Sequence, residues 1–349
     1  MIPVAIITGF LGSGKTTLLG HLLREPAMSR TAVIINEFGA IGLDHELIET
    51  SDETFIQLSN GCLCCNVRSD LVLTLCDLAA RRTAGTVVAF ERVVIETSGL
   101  ADPAPILHAL MTDSQLCEVY ALDGVIVTVD AIIGLATLDR HEESRRQAAF
   151  ADRIVLTKTD VPEAQSAALM ERLARINPGA RVLKAVHGKV ALSALFECGL
   201  YNAASKGREV QRWLAHDAIG AAGGHGHHPE QDDIVSFGIV RDEPVHAVTL
   251  SLFVSALAEN CGADLLRMKG LVCVAERPDC PAVVHGVQHV YHAPVWLPRW
   301  PSDDTRTRMV FIGRHIRESW VRNLLDLLDA EVKETTCRQS AARAVMAPS

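Results

Sequence analysis

No apolar run in this 349-residue sequence approaches the roughly 20 residues that a membrane-spanning helix needs; residues 124–129 are among the longest. The amino terminus has no basic stretch ahead of its apolar residues, so it lacks the pattern of a secretion signal, and a cytoplasmic protein is expected. An excess of positive charge is also missing. The formal net charge of −9 makes the chain a poor binder of nucleic-acid backbone, and neither nucleic acid nor membrane is an expected partner. There is no internal repeat. What is present is an ordinary globular composition, 48% hydrophobic and 21% charged, over a length that suits two domains. Ten cysteines in a long chain without a secretion signal argue against a disulfide scaffold, leaving buried thiols, metal ligands or redox chemistry.

Residues 1–200 alternate short apolar runs with amphipathic stretches. Runs at 4–8, 31–36, 92–97, 125–130 and 153–157 predict buried strands, and the patterns at 15–24, 66–82 and 162–176 predict helices. This order predicts an α/β domain with a mostly parallel sheet. Residues 201–233 read as a linker, rich in glycine at 220–224 and carrying His225, His227 and His228. Such a segment is either a weak metal scavenger or a plain polar connection. A smaller α+β domain is expected over 234–332. Its strands fall at 234–241, 271–275, 282–290 and 308–313, and its helices run from Pro244 to about Ala258 and over 316–328. On one strand, His285 and His289 would share a face and His292 would take the other. Residues 333–349 read as a loose tail.

Gly9-Phe-Leu-Gly12-Ser13-Gly14-Lys15-Thr16 matches GxxxxGK[ST] at every required position, after a predicted strand and at the start of a predicted helix. In that setting backbone N–H groups curl around phosphates at the positive end of a helix dipole. Lys15 reaches the β- and γ-phosphates, the Thr16 hydroxyl binds Mg²⁺, and Thr17 follows in the first helical turn. The base is addressed by Thr157-Lys158-Thr159-Asp160, an apolar strand ending in Thr-Lys-x-Asp. Guanine presents N1–H and N2–H₂ as adjacent donors that the Asp160 carboxylate can accept, and the Lys158 stem can cover the ring. Thr157 stands where asparagine is commoner.

Three further segments lie in order between these motifs: Asn36-Glu37-Phe38-Gly39, Gly61-Cys62-Leu63-Cys64-Cys65, and Glu96-Thr97-Ser98-Gly99-Leu100-Ala101-Asp102-Pro103. Arg267-x-Lys269-Gly270 and Val310-Phe-Ile-Gly313 follow in the second domain. Over residues 1–330 the set resembles the CobW-like GTPases, relatives of the nickel-insertion GTPases for urease and hydrogenase. The resemblance implies a P-loop GTPase domain, a CobW-type carboxyl-terminal domain, and GTP-linked handling of a transition metal. Glu96, at a strand end beside the phosphate loop, can hold a magnesium-bound water or orient the attacking water, and Gly99 can bring its N–H to the γ-phosphate. Residues 39–44 suit a switch loop, with Asp44 a weak candidate beside the magnesium.

Cys62, Cys64 and Cys65 place three soft thiolate donors within four residues. Such a set suits Zn²⁺ and also accommodates Co²⁺. An open fourth position suits transfer, and Glu37 is a candidate fourth ligand or outer contact. Cys76, Cys117, Cys198, Cys261, Cys273, Cys280 and Cys337 read as small buried hydrophobes. The expected function is a GTP-hydrolysing chaperone that delivers a metal, zinc first, to a client protein. The alternatives are a cobalt chaperone serving cobalamin synthesis and a GTP-regulated metal buffer or sensor with no client. A P-loop kinase for a small molecule is a third, disfavoured by Thr-Lys-x-Asp and the cysteine triplet. A metal- or nucleotide-dependent homodimer fits the open coordination position.

Overall fold

The computed structural model describes residues 1–36, 55–57, 66–161, 166–196 and 233–346. Contacts divide the chain into Met1–Glu209 and Val210–Ser349. The first unit is a P-loop NTPase fold. Its seven-stranded sheet has the order β3-β2-β4-β1-β5-β6-β7, formed by β1 (Ile2–Gly9), β2 (Thr31–Asn36), β3 (Phe55–Gln57), β4 (Arg92–Thr97), β5 (Tyr120–Asp130), β6 (Arg153–Thr157) and β7 (Arg181–Lys184). Every neighbouring pair is parallel. Among the described residues its α-helices are α1 (Lys15–Leu23), α2 (Asn66–Ala84), α3 (Ala104–Thr112), α4 (Ser114–Val119), α5 (Gly134–Arg140), α6 (Glu142–Phe150), α7 (Ser166–Ile176) and α8 (Leu192–Leu195). A parallel sheet covered on both faces needs apolar side chains on both, which is why its strands read as continuous apolar runs.

The strand order matters for the site. β1 lies between β4 and β5, which lead to opposite edges of the sheet, and the register pairs Ile7 with Glu96, Gly9 with Thr128 and Asp130 with Thr157. The carboxyl ends of β1, β4, β5 and β6 therefore meet at one edge, where ligands bind in open α/β sheets. Helix α1 seats the loop ahead of it by burying Leu18, Leu19 and Leu22 against Ala5, Ile7, Val94, Ile126 and Val155. Each buried leucine contributes about 1.5–3 kcal/mol.

Among the described residues the second unit pairs two helices with an antiparallel sheet. β8 (Ile234–Arg241), β9 (Leu265–Val274), β10 (Arg277–Val287), β11 (Val290–Tyr291) and β13 (Thr307–Arg314) run in the order β11-β10-β9-β13-β8, and β12 (Val295–Trp296) pairs with β10. Helices α9 (Ala247–Cys261) and α10 (Glu318–Met346) contribute Leu250, Phe253, Leu257, Val321 and Leu325 to one core with Phe237, Met268, Val284 and Phe311. The Phe311 ring stacks on Phe237 at 5.2 Å and meets Phe253 edge-on at 6.4 Å.

Four sequence expectations are corrected here. Helix α9 starts at Ala247 rather than Pro244, because Val245 first bridges to Val274 and exchanges backbone bonds of 2.8 and 3.0 Å with β9 and its end. Strand β9 begins at Leu265, since its ladder with β13 continues past Arg267 and Lys269. Strand β10 ends at Val287 and Gln288 turns with φ 52°, so His289 lies in the hairpin and shares no strand face with His285. The expected tail is helical to Met346. Its apolar periodicity stops near Leu328, but polar pairs carry the helix on: Lys333 binds Asp329 at 3.0 Å and Glu243 at 2.7 Å, and Arg338 pairs with Glu334. No helix among the described residues is long and apolar enough to cross a membrane.

Asp329 is only 2% exposed and takes Arg241 at 2.5 Å as well as Lys333, while Arg241 also reaches Asp326 at 2.5 Å. Asp329→Asn is expected to destabilise the protein by about 1–3 kcal/mol, because it weakens charged bonds to a largely buried guanidinium. A thermal melt of the full chain measures this; an unchanged midpoint refutes it.

Candidate nucleotide site

The loop between β1 and α1 is built on backbone that favours glycine. Gly9, Gly12 and Gly14 have φ of 144°, 70° and 89°. Gly9 is also required by space, since a Cβ there would lie 2.4 Å from both the carbonyl and the hydroxyl oxygen of Thr128. A band of buried hydroxyls fixes the loop to the strands behind it. Ser13 Oγ and Thr128 Oγ1 lie 2.6 Å apart, and Thr97 Oγ1 donates to Thr8 Oγ1 at 2.7 Å. The loop closes with Ser13 N donating to the Phe10 carbonyl at 3.1 Å. Helix α1 has no acidic residue of its own in its first turn.

Lys15 is buried, and its ammonium donates to the Gly9 and Phe10 carbonyls at 2.9 and 3.2 Å. The side chain thus arches over the loop with its charge held at the mouth. Thr16 Oγ1 donates to Glu96 Oε1 at 3.0 Å, and Glu96 is 5% exposed at the end of β4. Thr17 is exposed in the same helical turn. On the β4 side, Gly99 presses directly on the loop: a Cβ there would lie 2.7 Å from Leu11 N. The amide of Gln147, on α6, holds the same segment by donating to the Gly99 and Ala101 carbonyls at 3.2 and 3.1 Å. Arg146 pairs with Asp102 at 2.5 Å.

On the β6 side, Thr157 Oγ1 donates to the Ser13 carbonyl at 2.8 Å and lies 3.3 Å from that of Val129. The residue that replaces asparagine therefore braces the phosphate loop. Lys158 has φ 56°, and its ammonium reaches Asp130 Oδ2 at 2.5 Å and the Gly12 carbonyl at 3.2 Å. Asp160 is partly exposed, and His187 Nδ1 lies 3.3 Å from its Oδ2. Gly9, Gly12, Ser13, Gly14, Lys15, Thr16, Glu96, Gly99, Thr157 and Lys158 are thus brought together. Sequence reasoning missed Thr128, Asp130, Gln147 and His187. The only available signal was that Thr128 and Asp130 end an apolar strand run.

A family model described as CobW/HypB/UreG, nucleotide-binding domain, matches residues 3–184, and one described as Cobalamin synthesis protein cobW C-terminal domain matches residues 234–328. The chain belongs to the CobW family. Within that family it is 36% identical over 323 residues to the zinc chaperone YjiA of Escherichia coli, an alignment covering 92% of this chain and 96% of that one. The zinc chaperone CobW of a Sinorhizobium species is 31% identical, with 90% of this chain and 93% of the relative covered. The crystal structure of Zn(II)-bound YjiA GTPase superposes with a TM-score of 0.71 at 31% identity, covering 94% of this chain and 98% of that one.

The cysteine motif expected of a CobW protein, Cys62, Cys64 and Cys65, lies outside the described residues. So do Glu37, Asp44, Cys198 and the histidines at 225, 227 and 228. Among the described residues no three His, Cys, Asp or Glu side chains gather as a metal site. Cys76, Cys117, Cys261 and Cys273 are free thiols whose pKa burial raises, that of Cys261 to about 11. They are held protonated and are poor ligands at neutral pH. Of the described cysteines expected to be buried only Cys273 is: Cys76, Cys117, Cys261 and Cys280 are half-buried, and Cys337 lies exposed on α10.

Proposed function

We propose that this chain is a GTP-hydrolysing metallochaperone that binds zinc through Cys62, Cys64 and Cys65, with Glu37 beside them, and hands it to a client protein. The observation that carries the GTPase part is the meeting of Lys15, the Thr16–Glu96 pair and the Thr157–Asp160 segment along one sheet edge. Family membership and zinc-chaperone relatives support the metal part.

GTP is the substrate. The loop amides and Lys15 bind its phosphates, with the ammonium exchanging the Gly9 and Phe10 carbonyls for phosphate oxygens. A hydroxyl and a buried carboxylate 3.0 Å apart form an oxygen donor set suited to Mg²⁺, so Thr16 and Glu96 would hold it, Glu96 through a water. Bound there, Mg²⁺ neutralises charge on the phosphates. Glu96 also orients the attacking water. Gly99 places its backbone against the loop at the γ-phosphate side, and Gln147 keeps that segment in register. Asp160 accepts from guanine N1–H and N2–H₂, and the Lys158 stem lies against the ring.

Zinc is the cargo. The thiolates follow the segment bearing Glu37 and precede β4, which ends at Glu96. A switch loop ordered by the γ-phosphate would therefore alter their geometry, and nucleotide and metal would change each other's affinity reciprocally. Zinc affinity measured with a non-hydrolysable GTP analogue is expected to differ from that with GDP by about fivefold or more. Equal affinities eliminate the coupling. Transfer to an apo-metalloenzyme separates the remaining readings: GTP-stimulated delivery of zinc supports the proposal, preferential delivery of cobalt indicates the cobalt chaperone, and no delivery indicates a buffer or sensor.

A further inference from the structure

We propose that Asp130 is a positioning residue for guanine recognition, acting through Lys158. This rests on the reading of the site as one for guanine nucleotides. Asp130 ends β5 and is 5% exposed. Its two oxygens have separate partners. Oδ1 accepts from the backbone N–H groups of Ile132 and Ile133 at 2.7 and 3.3 Å, closing the turn after the strand. Oδ2 takes the Lys158 ammonium at 2.5 Å. Closing the turn requires only the first oxygen. The second fixes a lysine whose side chain is 43% exposed.

As a stabilising ion pair this contact has little to offer, since partly exposed pairs contribute about 0–1 kcal/mol. As preorganisation it has more. A free lysine stem loses up to about 2 kcal/mol of rotamer entropy when fixed. Here the stem is already fixed before any base arrives, so binding need not supply that ordering. Two further observations give the stem its direction. Lys158 is the first residue past β6, and its left-handed backbone, φ 56°, breaks from the extended path of the strand. Its ammonium also donates to the Gly12 carbonyl at 3.2 Å, tying it to the phosphate loop. With Thr157 bonded to the Ser13 carbonyl, the β6 end is fastened to that loop at consecutive residues. Asp130 therefore links base recognition to the phosphate cradle and sets where the lysine stem lies.

The test is calorimetric titration of the full-length protein with Mg²⁺ and GDP, ADP or inorganic pyrophosphate. Asp130→Asn keeps an oxygen for the turn and removes the negative charge that faces the Lys158 ammonium. It is expected to weaken GDP binding about tenfold and leave pyrophosphate binding unchanged. In a Lys158→Ala background the same change is expected to have less than about a twofold further effect, because the residues act through one contact. Lys158→Met, which keeps the stem but loses its anchor, is expected to weaken GDP binding as Asp130→Asn does, and it tests the idea even if the Asp130 variant does not fold. Equal losses in both backgrounds, an equal loss for pyrophosphate, or wild-type GDP affinity in Lys158→Met each overturn the assignment. A wild-type protein that fails to prefer GDP over ADP overturns the guanine-site reading itself, a separate result.

Discussion

Lys15→Ala is expected to lower kcat/KM for GTP hydrolysis about 10²–10³-fold while leaving the fold intact. The magnitude is that of removing one preorganised charge-stabilising donor from a site where charge develops. In the present structure the ammonium donates to the Gly9 and Phe10 carbonyls, which are neutral backbone acceptors, so its loss is expected to cost the apo-protein only about 1–3 kcal/mol. The loss falls on the state in which phosphate oxygens compete for that ammonium. Steady-state hydrolysis with a parallel thermal melt measures both sides. Activity within a few-fold of wild type contradicts the assigned role.

Gly99→Ala is expected to reduce kcat about 10²-fold with a smaller effect on GDP affinity. The added Cβ would stand 2.7 Å from Leu11 N and 2.8 Å from Leu11 Cα, and backbone cannot yield as a flexible side chain can. The segment is also held from behind, because Gln147 grips the Gly99 and Ala101 carbonyls and Arg146 holds Asp102. It must therefore move away from the phosphate loop or push the loop out of shape. A misplacement near 1 Å can cost about 10²-fold in rate. GDP makes no γ-phosphate contact, so its affinity should change less than hydrolysis does. Pre-steady-state hydrolysis and GDP titration separate the two, and a variant with unchanged single-turnover rate would show that Gly99 has no part in the chemistry.

The phosphate loop was legible because its information is contiguous: glycines, Lys15 and Thr16 lie in one run after one strand. Glu96 and Lys158 were legible by family pattern. Asp130 and Gln147 were not, since an aspartate at a strand end and a glutamine on an amphipathic helix have no local signal of what they face. Thr157 was only partly legible for a related reason. Its departure from asparagine carries no local sign that its hydroxyl bonds the Ser13 carbonyl, 2.8 Å away in the fold. The second unit erred mainly at element ends, where Val245 joined the sheet before its helix began and α10 outlasted its apolar face on ion pairs.

By itself the sequence determined the parallel-sheet domain, the place of the glycine-rich loop that carries Lys15 and Thr16, and the two-unit order, because each follows from hydrophobic period or a short contiguous motif. Only the tertiary structure decided which side chains brace that loop. Thr157 and Ser13 are 144 residues apart and Lys158 and Asp130 are 28 apart. They meet because β5 lies between β1 and β6 in the sheet. Strand order is set by the burial of the whole core, and no local stretch of chain encodes it.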